Sequence, residues 1–148
     1  MEIDERIDAI EECYEYQLAF AAKGIDNAQG GELRHYLVRA ADAMTGLSEA
    51  CPMPSEAFRK VLARDAEDSL AAVQLVLMQP VISSQLIDNL NASIHVRALL
   101  TDLFLIDEIA KTQTKAASKA AASGSDSEVA LGVDSPDSLL ESVSSNDN

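Results

Sequence analysis

Apolar residues recur at helical spacing through the first three quarters of the chain, and that rhythm predicts an all-α fold. Ile3, Ile7, Ile10, Tyr14, Leu18 and Ala21 are separated by 4, 3, 4, 4 and 3 positions. Such steps place them on one face of a helix running from about Ile3 to Lys23. Gly24 is its expected stop. The linker Ile25–Gly31 carries Asp26, Asn27, Gly30 and Gly31, which favour a loop. Leu33, Leu37, Ala40, Met44, Leu47 and Cys51 then step by 4, 3, 4, 3 and 4. This is the seam of a bundle, on a second helix from about Glu32 to Cys51. Gly46 weakens its end, and Pro52 and Pro54 stop it.

Ser55 is placed to cap a third helix, lined by Phe58, Leu62, Ala66, Leu70, Val73 and Leu77. Its second half, Leu70 to Met78, is apolar nearly all round. That pattern predicts burial from several directions. A fourth helical stretch, about Ile82 to Lys111, changes phase: Ile82, Leu86, Leu90 and Ile94 step by four, whereas Val96, Leu99, Leu103, Ile106 and Ala110 step by 3, 4, 3 and 4. The shift predicts a kink or short break around Asp88–Ser93. The expected architecture is a four-helix up-down bundle with a kinked fourth helix and a disordered acidic C-terminal tail. The bundle domain spans 1–112 and the Ala/Ser-rich tail 113–148. The Ala/Lys segment to about Ala122, with Lys111, Lys115 and Lys119 four apart, is suited to prolonging the last helix. Within the tail, Ser135-Pro136-Asp137 is a helix-start signature followed by Leu139, Leu140 and Val143. It predicts a short docking helix at 135–143 that forms on a partner.

Charge narrows the partners. The formal net charge is −14 in 148 residues. Residues 1–112 hold 19 acids and 9 bases, and residues 113–148 hold 6 and 2. Both parts are repelled by nucleic acid and anionic lipid, which argues against either as a ligand. No run of 18 apolar residues exists, so no membrane span is expected. The acidic start Met-Glu-Ile-Asp-Glu is unlike a signal peptide. Cys13 and Cys51 have no metal-ligand or CxxC spacing and both fall at apolar helical positions. They are expected to be buried reduced thiols in a cytoplasmic protein, with a disulfide as the alternative.

Candidate chemistry is sparse. Asp4, Asp8, Glu11 and Glu15 step by 4, 3 and 4, a ridge of carboxylates beside the first helix's apolar stripe. Like charges at this spacing oppose helix formation. The ridge is read as a docking face for a basic protein partner, set against the plainer role of a solvated surface. Val73, Leu77, Leu99 and Leu103 are expected at a homodimer interface, because the third and fourth helices are richer in apolar residues than one chain needs. His35 falls on the solvent side of the second helix. The stretch His35-Tyr36-Leu37-Val38-Arg39 resembles the His-x-Leu-Lys-Gly pattern of histidine phosphotransfer domains. It departs at Val38, where the pattern has lysine, and at Arg39, where it has glycine. The resemblance implies a phosphoacceptor role for His35. Glu32-x-x-His35 also has the spacing of a di-iron ligand pair, but the second such pair is missing, since Ala92 precedes His95 at the matching offset. No nucleophile with a neighbouring base and no phosphate-cradling loop is present. No metal or cofactor is expected.

These features select a non-enzymatic interaction module, a small acidic adaptor or chaperone-like factor. The alternatives are a phosphorelay module using His35 and a structural assembly subunit.

Overall fold

The computed structural model describes residues 1–24, 31–52 and 55–124. Among them every regular element is a helix: α1 (Ile3–Ala22), α2 (Gly31–Met44), α3 (Leu47–Ala50), α4 (Glu56–Leu77), α5 (Ser84–Ala92) and α6 (His95–Gly124). No helix among the described residues is long and apolar enough to cross a membrane. The chain divides into two units, Met1–Lys111 and Thr112–Asn148.

Six helices replace the four expected, and backbone chemistry accounts for both extra breaks. Gly46 sits in the left-handed region at φ 65°, which splits the expected second helix into α2 and α3. The seam survives the break: Leu33, Leu37, Ala40, Met44, Leu47 and Cys51 are all 0–3% exposed. The second break falls at Ser93–Ile94, at the edge of the expected segment. Ser93 Oγ donates to the Leu90 carbonyl at 2.6 Å, and Ile94 adopts φ 66°. Only there does the apolar phase of α5 give way to that of α6.

The helix starts follow the sequence chemistry. Ser55 Oγ accepts from the Phe58 amide at 3.3 Å, and Ser83 Oγ from the Leu86 amide at 3.1 Å. The Glu2 amide donates to Glu5 Oε2 at 3.0 Å at the head of α1. Gly24, at φ 63°, ends that helix with its amide on the Ala21 carbonyl.

Three arginines tie helix ends together across the first unit. Arg6 Nη1 donates to the carbonyls of Ala43 and Thr45, at 2.8 and 2.7 Å, where α2 ends. Arg34 donates to the carbonyls of Leu77, at 2.9 Å, Gln79 and Pro80, just where α4 ends. Arg59 Nη1 donates to the Ser48 carbonyl of α3 at 2.8 Å. The final carbonyls of a helix have no partner within it and carry partial negative charge, so a guanidinium there is favoured twice over.

The core is aliphatic, centred on Ile10, Leu33, Leu37, Leu62, Ile87 and Leu99. Two expectations about it need correcting. On α1 the buried face is Ala9, Ile10, Cys13, Gln17 and Phe20, while Leu18 is 47% exposed. On α4 the segment Leu70–Met78 is not enclosed: Leu75 is 63% and Met78 78% exposed. The α4 helix packs through the single face of Leu62, Ala66, Ser69, Val73 and Val76, which leaves its far side in solvent.

Candidate functional site

The ridge of acids on α1 is a real surface feature. Asp4, Asp8 and Glu15 are exposed and Glu11 is half-buried. Ile10 and Cys13 anchor α1 in the core and turn this row outward, beside α6. Within the first unit α6 runs antiparallel to α1. Tyr14 and Glu15 share a hollow of about 160 Å³ with Glu11, Arg97, Leu100 and Phe104. At the other end, Ile3 and Ile7 share a hollow of about 110 Å³ with Leu103 and Ile106, with Asp4 and Asp107 on its lining. The α1–α6 seam is therefore a line of two apolar hollows, each bordered by carboxylates from the row.

The electrostatics of the seam are lopsided. Burial raises the Glu11 carboxyl above its ordinary range, and the charges of Asp8, Glu15 and Asp107 raise it further. The nearby cations are mostly committed elsewhere. Arg6 serves backbone carbonyls, Arg39 pairs with Glu12, and Lys111 pairs with Asp107. Among the described residues no cation forms an ion pair with Asp4, Asp8, Glu11 or Glu15.

The other singled-out residues lie apart from this seam. His35 is exposed on α2, edge-on to Tyr36 with ring centroids 6.1 Å apart. Tyr36 stacks on Tyr16 at 4.6 Å, and the Tyr16 hydroxyl donates to Glu32 Oε2 at 3.1 Å. Glu32 is thus engaged by a tyrosine on α1. Arg39, one turn beyond His35 and standing where the phosphotransfer pattern has glycine, is held against α1 by its ion pair with Glu12. His95 is half-buried at the start of α6. No cluster of three His, Cys, Asp or Glu residues able to hold a metal occurs among the described residues. Leu139, Leu140 and Val143 lie outside the described residues.

The residues expected at a dimer interface sit elsewhere. Val73, Leu99 and Leu103 are 0, 0 and 1% exposed inside the core of the single chain, and Leu77 is half-buried against it. Val73, Leu99 and Leu103 offer no surface in the single chain, and Leu77 offers only part of its side chain. The exposed apolar side chains are others, among them Phe104, Leu105 and Ile109 on α6, which are 51, 50 and 39% exposed.

Both cysteines are free and buried. Burial raises the Cys13 thiol to about 11, partly opposed by the Gln17 side-chain amide, which donates to Sγ at 3.1 Å. Burial also raises the Cys51 thiol, against a lowering influence from Arg59. Thiols held protonated in this way are poor nucleophiles. Sequence reasoning missed Gln17, whose polarity hid its place in the core, and the pair Asp65 and Asp102, which no spacing links. A further hollow of about 390 Å³ lies between α1 and α5, where the amide of Asn91 is buried with no hydrogen-bond partner.

Comparison with family models, with curated proteins and with solved structures returned no match.

Proposed function

We propose that the chain is a non-catalytic protein-interaction module, an acidic adaptor or chaperone-like factor that takes a basic partner on the α1–α6 seam. One observation carries the reading. Asp4, Asp8, Glu11 and Glu15 form a row with no ion pair among the described residues, alongside one hollow lined by Tyr14, Arg97, Leu100 and Phe104 and another lined by Ile3, Ile7, Leu103 and Ile106. Apolar pockets supply contact area, and the surrounding carboxylates select cationic side chains and speed encounter. A nucleic acid or an anionic lipid surface is repelled by the same field. Leu139, Leu140 and Val143 serve as a second contact in this scheme. The two free, buried thiols fit a reducing compartment such as the cytoplasm.

The test is a charge reversal. Affinity purification from the native cell is compared between the unaltered protein and the double variant Asp8→Lys/Glu11→Lys. Asp8 is exposed and Glu11 half-buried at the rim of a hollow, and circular dichroism verifies that the double variant keeps the fold. A basic protein captured by the first and lost from the second supports the reading. An identical set of captured proteins refutes it.

A further inference from the structure

The end of α6 is a helix in search of a surface. Every residue from Asp107 to Ser123 is exposed. Short helices are marginal in water and gain most of their stability by packing one face. Between Ile109 and Ser125 there are three lysines, Lys111, Lys115 and Lys119, and no acid. Between the lysines the same face carries Thr112, Ser118 and Ala122, small side chains that allow close approach. Lys115 and Lys119 form no ion pair among the described residues. The remainder of the molecule has the opposite character: residues 1–15 contain seven acids and one base.

We infer that the Ala/Lys end of α6 docks on the α1–α6 seam of a second copy, so that two chains exchange their α6 ends in a symmetric dimer. The lysine row and the carboxylate row each repeat about once per helical turn. The stretch from Thr112 to Gly124 is ~18 Å long and the ridge from Asp4 to Glu15 ~17 Å, at about 1.5 Å per residue. The half-exposed Phe104 and Leu105 flank the docked helix and are covered by it. A two-fold arrangement makes each contact twice, since each chain brings one lysine row and one acid row. The inference rests on the seam being a docking surface. It adds that the resting occupant is the chain's own kind, which a basic partner must displace.

The full-length protein is tested by light scattering after gel filtration over 1–200 µM, in low and high salt. The unaltered chain of 15.8 kDa is expected to run as a dimer in low salt and to dissociate as salt rises. Lys115→Glu/Lys119→Glu and Asp8→Lys/Glu11→Lys are each expected to weaken the dimer by at least about tenfold. The quadruple variant carrying both reversals is expected to recover it. Recovery distinguishes a direct pairing from loss of fold, which circular dichroism checks separately. A monomer at 200 µM in low salt overturns the inference, whether the lysine row is free or contacts its own chain. So does a dimer indifferent to both reversals, or a quadruple variant that stays monomeric. These outcomes leave the partner experiment untouched: a monomer that still captures a basic protein through Asp8 and Glu11 loses the self-docking and keeps the proposed function.

Discussion

The carboxyl of Asp102 on α6 faces that of Asp65 on α4, and Asp102 Oδ2 is buried with no hydrogen-bond donor. Two carboxylates cannot share such a position comfortably while both are charged. Burial first, and then Asp65, raise the Asp102 carboxyl to about 6. A proton on the pair supplies the missing donor.

This relationship predicts a pH dependence of stability. In the unfolded chain Asp102 releases its proton near its ordinary value of 3.8, whereas in the fold it holds the proton to about 6. Over that interval the native state binds more protons than the unfolded one. The stabilising contribution is therefore complete below about pH 4 and is lost as the pH rises through 6. Asp102→Asn removes the charge and keeps the shape. Urea denaturation is expected to show the variant more stable by about 1–2 kcal/mol at pH 7, the partly solvated position being allowed for. The advantage shrinks towards pH 4.5. A constant difference across that range would contradict the shared proton.

Gln17 predicts an unusual gain from losing a polar group. Its Nε2 donates to Cys13 Sγ, but its Oε1 is buried with no donor. Gln17→Met fills the same space without an unsatisfied oxygen and is expected to raise stability by about 1 kcal/mol. The thiols provide a second readout. In the native protein Cys13 is expected to react with a disulfide reagent only as fast as the fold opens, and at the normal rate in denaturant.

Arg34 gathers three carbonyls just where α4 ends. Arg34→Met retains the apolar stem and removes every one of those hydrogen bonds. A loss of about 2–3 kcal/mol is expected from thermal or chemical unfolding. Arg34→Lys is expected to recover less than half of it, because a single ammonium does not reproduce the planar fork.

Among the described residues Ile94 is the one non-glycine residue at positive φ, and it is 52% exposed. A β-branched side chain in the left-handed region is strained, and little burial compensates here. Ile94→Asn is expected to stabilise the chain by about 1 kcal/mol, seen as a higher melting temperature. An unchanged or lower melting temperature would show that the side chain has a contact role.

The second helix shows how much the sequence discloses. All six positions of its heptad seam, Leu33 to Cys51, are buried, even though Gly46 breaks the helix beneath them. Caps at Ser55 and the stop at Gly24 were equally legible, because both depend on one residue's own chemistry. The stripe of α1 was legible in part: Ile10 is buried and Ile3, Ile7, Tyr14 and Ala21 pack half-buried against the core. Leu18 looked like core and Gln17 like surface, and they are the reverse, because Cys13 Sγ gives the Gln17 amide a partner inside. The apolar segment Leu70–Met78 misled for a different reason: composition reports how apolar a helix is, but not how many neighbours it has. The same surplus suggested Val73, Leu99 and Leu103 for a dimer, yet α5 and α6 pack within one chain and consume them. The acid ridge was visible as spacing. The hollows beside it were not, since they need Leu100 and Phe104 brought over from α6.

The ties made by Arg6, Arg34 and Arg59 all end on main-chain oxygens. The side chains at the receiving positions take no part in these links: Thr45 is exposed, whereas Ala43 and Ser48 are buried and Leu77 is half-buried against the core, so packing and not the arginine constrains them. The guanidinium ends are constrained by the links themselves. Divergence in a lineage of this protein should therefore run unevenly, with the three arginines held fixed, exposed Thr45 drifting, and Ala43 and Ser48 staying small because they are buried.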